Sequence, residues 1–288
     1  MPSHDRSWVE PGHVYLVATP IGNLEDFSFR GVAVLQQVDR ILCEDTRQTD
    51  ILCRAFDIHR PLVSFHAHNA GRRLHQISEW LDQGESLALV SDRGMPSVSD
   101  PGQELVLWLY EQHRPFSVIP GPSAQVTAFV GSGFPHPYIF WGFLPSPSLA
   151  KPRRESLEAM SQCPFTQVVY EAPHHMDKTL KDLAEKLGVN RELVLGRELT
   201  KHFEEYWKGT IGSLIAENRS WQGEAALVLG PPLAFESSKE PDWPFLIEKV
   251  DQLEEQGHTA KEAIQMIASQ YRVSRRGLYN RVQKSRID

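Results

Sequence analysis

The sequence predicts an α/β protein made of two α/β domains and a small C-terminal helical appendage. Three observations carry that expectation. Short apolar runs alternate with amphipathic stretches through the first half, strand-like segments outnumber helical ones after residue 123, and helix-capping signals recur after residue 245. A length of 288 residues suits about two domains.

In the first domain, placed at residues 12–123, the expected strands are Val14 to Ala18, Val38 to Cys43, Leu62 to Phe65, Leu87 to Ser91 and Phe116 to Ile119. Each is short, apolar and followed by turn residues, as buried parallel strands are. Apolar residues at helical spacing over Gln48 to Phe56, Arg72 to Leu81 and Gln103 to Glu111 supply the crossovers; Leu105, Trp108 and Leu109 form the clearest stripe. The second domain, 124–235, holds a Gly- and Pro-rich connector from Gly131 to Pro152 around the apolar run Tyr138 to Phe143. Strands at Gln167 to Tyr170, Leu193 to Leu195, Tyr206 to Thr210 and Ala225 to Leu229, with one helix from Met176 to Leu187, predict a more antiparallel sheet. Pro231 and Pro232 open a polar linker. The appendage, 245–288, begins with a helix near Phe245 that stops at Gly257. A capping box from Thr259 to Glu262 then opens a helix with Ile264, Ile267 and Tyr271 on one face, and Ser274 caps a third helix carrying Leu278 and Val282.

Composition excludes several classes. With 41% apolar and 23% charged residues, the chain is neither disordered in bulk nor a disulfide scaffold. Cys43, Cys53 and Cys163 are odd in number and form no CxxC pair, so free thiols are expected. No apolar run reaches bilayer length and Met1 to Pro11 lacks a hydrophobic signal core, which predicts a soluble cytoplasmic chain with no membrane partner. A net charge of −7 provides no global attraction for nucleic acid, so any RNA must be met locally. Residues 272–288 reverse the balance with Arg272, Arg275, Arg276, Arg281, Lys284 and Arg286 against one acid.

Walker A, HExxH and GxSxG sequences are absent, and Gly131-Ser132-Gly133 lacks the third glycine and preceding strand of a dinucleotide fingerprint. What remains is three loops at expected strand ends: Thr19 to Leu24, Ser91 to Gly102 and Ile119 to Ala124. Taken singly, they read as a tight turn, a long rigid connection and a helix N-cap. On one sheet edge they describe a pocket, since open α/β sheets bind ligands at the carboxyl ends of their strands.

The motifs ATPIGNL (Ala18 to Leu24), EDTRQT (Glu44 to Thr49), HAHN (His66 to Asn69), LVSDRGMPSVSDPG (Leu89 to Gly102), IPGPSA (Ile119 to Ala124), GFLPS (Gly142 to Ser146), YEAPHH (Tyr170 to His175) and RELTK (Arg197 to Lys201) occur in that order. From about Gly12 to the C-terminus the chain resembles the bacterial RsmI family of small-subunit ribosomal RNA cytidine 2′-O-ribose methyltransferases, in the tetrapyrrole-methylase superfamily. The resemblance implies a homodimer that binds S-adenosyl-L-methionine in a cleft between two α/β domains and methylates a cytidine of 16S rRNA in the decoding centre of the small ribosomal subunit. Carried over residue by residue, it implies cofactor contacts at Pro20 and Gly22; at Ser91, Asp92, Met95 and Pro96; at Pro120, Gly121, Ser123 and Ala124; and at Tyr170, Glu171, Gly223 and Glu224, with Asp92 foremost. The family's usual SDAGTP stands here as Ser91-Asp92-Arg93-Gly94-Met95-Pro96, so Arg93 and Met95 replace small residues, a change that bears on donor affinity.

Methyl transfer to a ribose hydroxyl is an in-line displacement that needs positioning and a general base, and no metal. Glu44, Asp45, Glu171, Glu198 and Lys201 are candidate bases, the lysine only if desolvation or a neighbouring cation lowers its pKa. Asp45, Arg47 and Lys201 are the favoured catalytic, substrate-side set; the competing reading of Asp45 and Arg47 is an ion pair that braces a loop. His66 and His68 alternate as on a strand, facing RNA or a second subunit, and His174 and His175 start a helix near phosphate. Lys151, Arg153, Arg154 and the basic C-terminal helices are expected phosphate contacts, with Trp141 and Phe143 as base-stacking candidates. Two other readings stay open: a precorrin-type tetrapyrrole methyltransferase, and a ribosome-binding module without catalysis.

Overall fold

The computed structural model describes residues 7–66, 69–232, 243–255, 258–271 and 273–285. The chain divides into two compact units, Met1–Pro232 and Leu233–Asp288.

The first sheet consists of β1 (Val14–Val17), β2 (Arg40–Cys43), β3 (Leu62–Ser64), β4 (Leu87–Val90) and β5 (Phe116–Ile119), all parallel in the order β3-β2-β4-β1-β5. β1 shows why the runs are apolar throughout: Tyr15 and Val17 enter one core while Val14 and Leu16 enter the other. Helices α1 (Phe29–Gln37) and α2 (Thr46–Ala55) cover the first of these faces; α3 (Ala70–Asp82) and α4 (Gln103–Glu111) cover the second. Every expected strand and helix of this region is present within a few residues, and α1 is additional. Its start is set by Ser28, whose hydroxyl accepts from Gly31 N–H at 3.0 Å.

Next comes α5 (Ala124–Ser132), then a second sheet of β6 (Tyr138–Phe143), β7 (Thr166–Glu171), β8 (Glu192–Arg197), β9 (Glu205–Thr210) and β10 (Ala225–Leu229) in the order β6-β7-β10-β8-β9. β6 and β7 are parallel and the other pairs antiparallel, a mixed sheet as expected. Ala128 of α5 packs on one face with Val168, Val194 and Val228. The other face is covered by α6 (Ala150–Gln162), α7 (Met176–Leu187) and α8 (Ile211–Ala216).

The connector reading of residues 131–152 is corrected at its end, because α6 begins at Ala150. Pro152 sits in its first turn, where a proline removes no helical hydrogen bond. Arg153 is corrected as well: it is buried and not available to phosphate. Its guanidinium donates to Asp182 Oδ2 at 2.7 Å, to the Pro145 carbonyl at 2.7 Å and to Thr179 Oγ1 at 2.6 Å. Thr179 in turn donates to Glu171. Lys151 and Arg154 are exposed. Trp141 is likewise a core residue, half-buried, with its indole N–H on Gln167 Oε1 at 2.9 Å.

The second unit is three helices, α9 (Trp243–Glu255), α10 (Ala260–Gln270) and α11 (Arg275–Ser285), around Leu246, Val250, Ile264, Ile267, Leu278 and Val282. The capping box forms: Glu262 N–H donates to Thr259 Oγ1 at 3.4 Å and Thr259 N–H to Glu262 Oε2 at 3.0 Å. Ser274 Oγ accepts from Gly277 N–H at 3.2 Å. Tyr271 departs from the expected face: it follows the end of α10, is exposed, and meets only the edge of Phe245 among the described rings. The expected linker at 233–242, the stop at Gly257, His68, Arg272 and Arg286 lie outside the described residues.

Replacing Arg153 by leucine removes these three hydrogen bonds and leaves Asp182 with Lys178 as its remaining ion-pair partner, so the variant is expected to lose about 3 kcal/mol of stability in urea unfolding, the scale for breaking a buried pair. A loss no larger than that of Arg154→Leu would contradict the buried placement.

Candidate functional site

Four loops leave the carboxyl ends of β1, β2, β4 and β5 on one edge of the first sheet, and the ends of β7, β8 and β10 face them from the second. Between them lies a cavity of about 640 Å³, within the usual size of a small-molecule site. Thr19 joins the first loop to the third by paired backbone hydrogen bonds with Gly94, 2.9 and 3.1 Å. Gly94 holds φ at +78°, and a Cβ there would press on Ile21, so the bridge requires glycine. Ser91 Oγ closes the same turn on the Gly94 carbonyl at 3.0 Å.

The lining is acidic. Glu44, Asp45, Asp92, Asp100, Glu171 and Glu224 all face the cavity, and among the described lining residues Arg93 is the one cation. Burial pushes Asp100 up to about 6, helped by the nearby Glu44 and Asp92 charges. Glu44 is raised by burial and then by Asp92, with His66 opposing. Asp92 is raised chiefly by burial, against a backbone hydrogen bond from Asp45. Three carboxyl groups thus crowd a partly desolvated space whose electrostatics favour a cation. Tyr170, pushed up to about 12 by burial, and Phe143 add aromatic wall.

The sequence-expected residues separate into lining and support. Asp92, Met95, Ser123, Ala124, Tyr170, Glu171 and Glu224 line the cavity, as does Asp45. Pro20, Ser91 and Pro96 are buried beneath the lining loops. Gly121 packs against Ala18, and Gly22 lies against the aliphatic chain of Lys201. Gly223 precedes Glu224, whose N–H donates to Glu198 Oε1 at 2.8 Å.

The favoured catalytic trio is not one cluster around the cavity. Asp45 caps α2 and grips Arg47 through both oxygens at 3.1 and 2.7 Å, which holds its carboxyl down at about 2 and makes it a poor base. Arg47 points outward, away from the lining. Lys201 Nζ lies between Glu198 Oε1 at 2.9 Å and Glu224 Oε2 at 2.8 Å. Desolvation lowers its pKa, but hydrogen bonds and charge from both carboxylates outweigh that and raise it, so it stays an ammonium. Arg93 reaches the same Glu224 across the cavity mouth, and the space remains open beside Arg93 and Met95.

β3 ends at Ser64, so His66 sits in the following loop and not on a strand face; its backbone N–H donates to Asn69 Oδ1 at 3.0 Å. His174 and His175 occupy a single 3-10 turn before α7. Asp100, Gln48, Leu199, Ala172 and Pro173 line the cavity without having been singled out. The second Ser-Asp step of the long loop, Ser99-Asp100, was the available signal for Asp100.

The model for tetrapyrrole (corrin/porphyrin) methylases matches residues 13–215. Curated relatives named ribosomal RNA small subunit methyltransferase I include one from Bacillus subtilis, 42% identical over 93% of this chain and 93% of the relative, and one from Streptococcus pyogenes, 41% identical over 93% of each. Among solved structures, uroporphyrin-III C-methyltransferase from Thermus thermophilus complexed with S-adenosyl homocysteine superposes with a TM-score of 0.55 at 18% identity, over 76% of this chain and 97% of that one. At that identity the likeness concerns the fold.

Asp100 holds its proton to a higher pH when folded than a free carboxyl does, so its ionisation costs stability above about pH 6 and the cost fades on acidification towards pH 4. Asp100→Asn is therefore expected to raise the Tm of the ligand-free chain at neutral pH, with the gain shrinking at acid pH. A lowered Tm across the whole range would contradict the crowded-carboxyl arrangement.

Proposed function

The chain belongs to the tetrapyrrole methylase family and, within it, to the group named ribosomal RNA small subunit methyltransferase I, and from that premise we propose that it transfers a methyl group from S-adenosylmethionine to the 2′-hydroxyl of a cytidine in the 16S rRNA decoding centre. The carrying observation is an acid-lined cavity at the strand ends of a chain akin, over nearly its whole length, to proteins of that name. In this reading residues 12–123 and 124–235 are the two domains that flank the cofactor, and 245–288 the appendage.

The residues fit the donor. When bound, S-adenosylmethionine supplies an electrophilic methyl on a sulfonium, and its positive charges suit a cavity with six carboxyl groups. Asp92 and Asp100 meet that charge, while Tyr170, Met95 and Phe143 shield the reacting centre from water. Pro20, Ser91, Pro96, Pro120 and Gly121 hold the loops that carry these contacts. Of the five candidate bases, Glu44 both lines the cavity and has a raised pKa, so it takes the hydroxyl proton. Lys201 serves as a fixed charge that orients Glu224. A carboxylate-bearing tetrapyrrole acceptor matches this acidic lining poorly, which disfavours that alternative; an RNA ribose enters with its phosphates left outside.

The exposed face of α11 presents Arg275, Arg276 and Lys284 to RNA phosphate. The functional form is a homodimer acting in the cytoplasm. An apolar face of α5, where Val126 and Val130 are exposed near Tyr206, suits a second copy. No helix among the described residues is long and apolar enough to cross a membrane.

Mapping ribose methylation in 16S rRNA from cells with and without the gene is the test; one cytidine is expected to lose its 2′-O-methyl group. Unchanged methylation at every cytidine, or label transferred by the purified chain to a porphyrinogen alone, would reject the reading. Asp92→Ala is expected to weaken cofactor binding about tenfold, the worth of a lost charge-assisted contact, in titration calorimetry.

A further inference from the structure

We infer that a groove beside the main cavity, formed by Arg197, Arg219 and Trp221, is a second binding site that takes a nucleotide of the RNA flanking the methylated ribose. The inference rests on the RNA reading above.

The placement follows from strand register. Glu171 pairs with Ala225, Ala225 with Arg197, and Arg197 with Glu205, so one row of residues crosses β7, β10, β8 and β9. Paired residues point to the same face, and neighbouring strands lie about 4.8 Å apart, which puts Arg197 about 10 Å along the row from Glu171. Glu171 and Ala225 line the main cavity; Arg197 and Glu205 line the groove, with Arg219, Ser220, Trp221 and Gln222 completing it. The groove has a volume of about 400 Å³, enough for one nucleotide and too small for a folded partner. A chain whose ribose sits at the cavity mouth reaches the groove with its next residue.

The chemistry suits a nucleotide. Arg197 uses only Nε, donating to Glu205 Oε2 at 3.0 Å, and its two terminal amino groups hold no partner. Arg219 donates through Nη1 to Glu205 Oε1 and through Nε to Glu217 Oε2, each at 2.5 Å, leaving Nη2 open. Both side chains are about three-quarters buried and ion-paired, so their guanidiniums are restrained before a ligand arrives and keep donors for a phosphate. Trp221 packs half-buried on the core of the second sheet, is anchored through its indole N–H to Asp177 Oδ1 at 2.6 Å, and lines the groove with the part of its ring left exposed, where a base would meet it. Two glutamates balance the two arginines, so the groove is not a bare positive patch. Glu217, exposed and bonded to Arg219, is the group that competes with an incoming phosphate.

That competition gives two variants of opposite sign. Initial rates with the full-length chain and purified small ribosomal subunits, varied over salt concentration, are the measurement. Arg219→Gln is expected to raise the acceptor KM about fivefold or more, leave kcat and the cofactor KM unchanged, and reduce the salt slope by about one. Glu217→Gln, which removes one of the two carboxylate charges on Arg219, is expected to lower the acceptor KM. If the wild-type chain methylates the particles and both variants keep its acceptor KM and salt slope, the groove does not bind RNA and this inference falls while the methyltransferase reading stands. If both variants shift the cofactor KM alone, the groove acts on the main cavity and the inference also falls. A wild-type chain that transfers no methyl to the particles rejects the underlying reading and the inference with it.

Discussion

Everything in the site depends on carboxyl groups being held together against their mutual repulsion. Glu44, Asp92 and Asp100 come from two loops at adjacent strand ends and share a partly desolvated cavity. Nothing in those side chains favours the arrangement without a cation; the fold imposes it. Parallel strands in the order β3-β2-β4-β1-β5 aim their following loops at one edge, and the Thr19–Gly94 bridge, made of backbone bonds that carry no net charge, fixes the acidic loop against its neighbour. The energy needed to crowd the acids is supplied by cores on both faces of the sheet, chiefly leucine, valine and isoleucine side chains withdrawn from water.

The same logic explains the charges at the mouth. Arg93, Glu224, Lys201 and Glu198 form an alternating chain that spans the two sheets. Lys201, expected as a reacting group, is instead a counter-charge, because a lysine flanked by two carboxylates keeps its proton. Arg93 joins that chain without filling the cavity.

Much of this was legible in the sequence because it rests on local rules. Short apolar runs ending in Gly, Pro and Ser-Asp steps mark parallel strands and their loops, and the Thr259 and Glu262 capping box forms as read. Elements that escaped did so for identifiable reasons. In α6 the inward position at Arg153 is a charged residue, satisfied by Asp182 and Thr179, which a pattern of apolar spacing places outside. α1 carries Gly31 in its first turn, and α8 is only six residues long. Among site residues, Asp100 was obscured because burial and neighbouring charge, the properties that distinguish it, exist only once the loop is folded. The strand reading of His66 misled because β3 stops two residues before it.

The most direct measurement is titration calorimetry of the full chain with S-adenosylmethionine at about pH 5 and about pH 7.5, in buffers of different ionisation enthalpy. Crowded carboxyls that bind a cation predict tighter binding at the higher pH, with protons released from the protein on binding near pH 6. Binding of equal strength at both values with no proton release, or no binding at either, would contradict it.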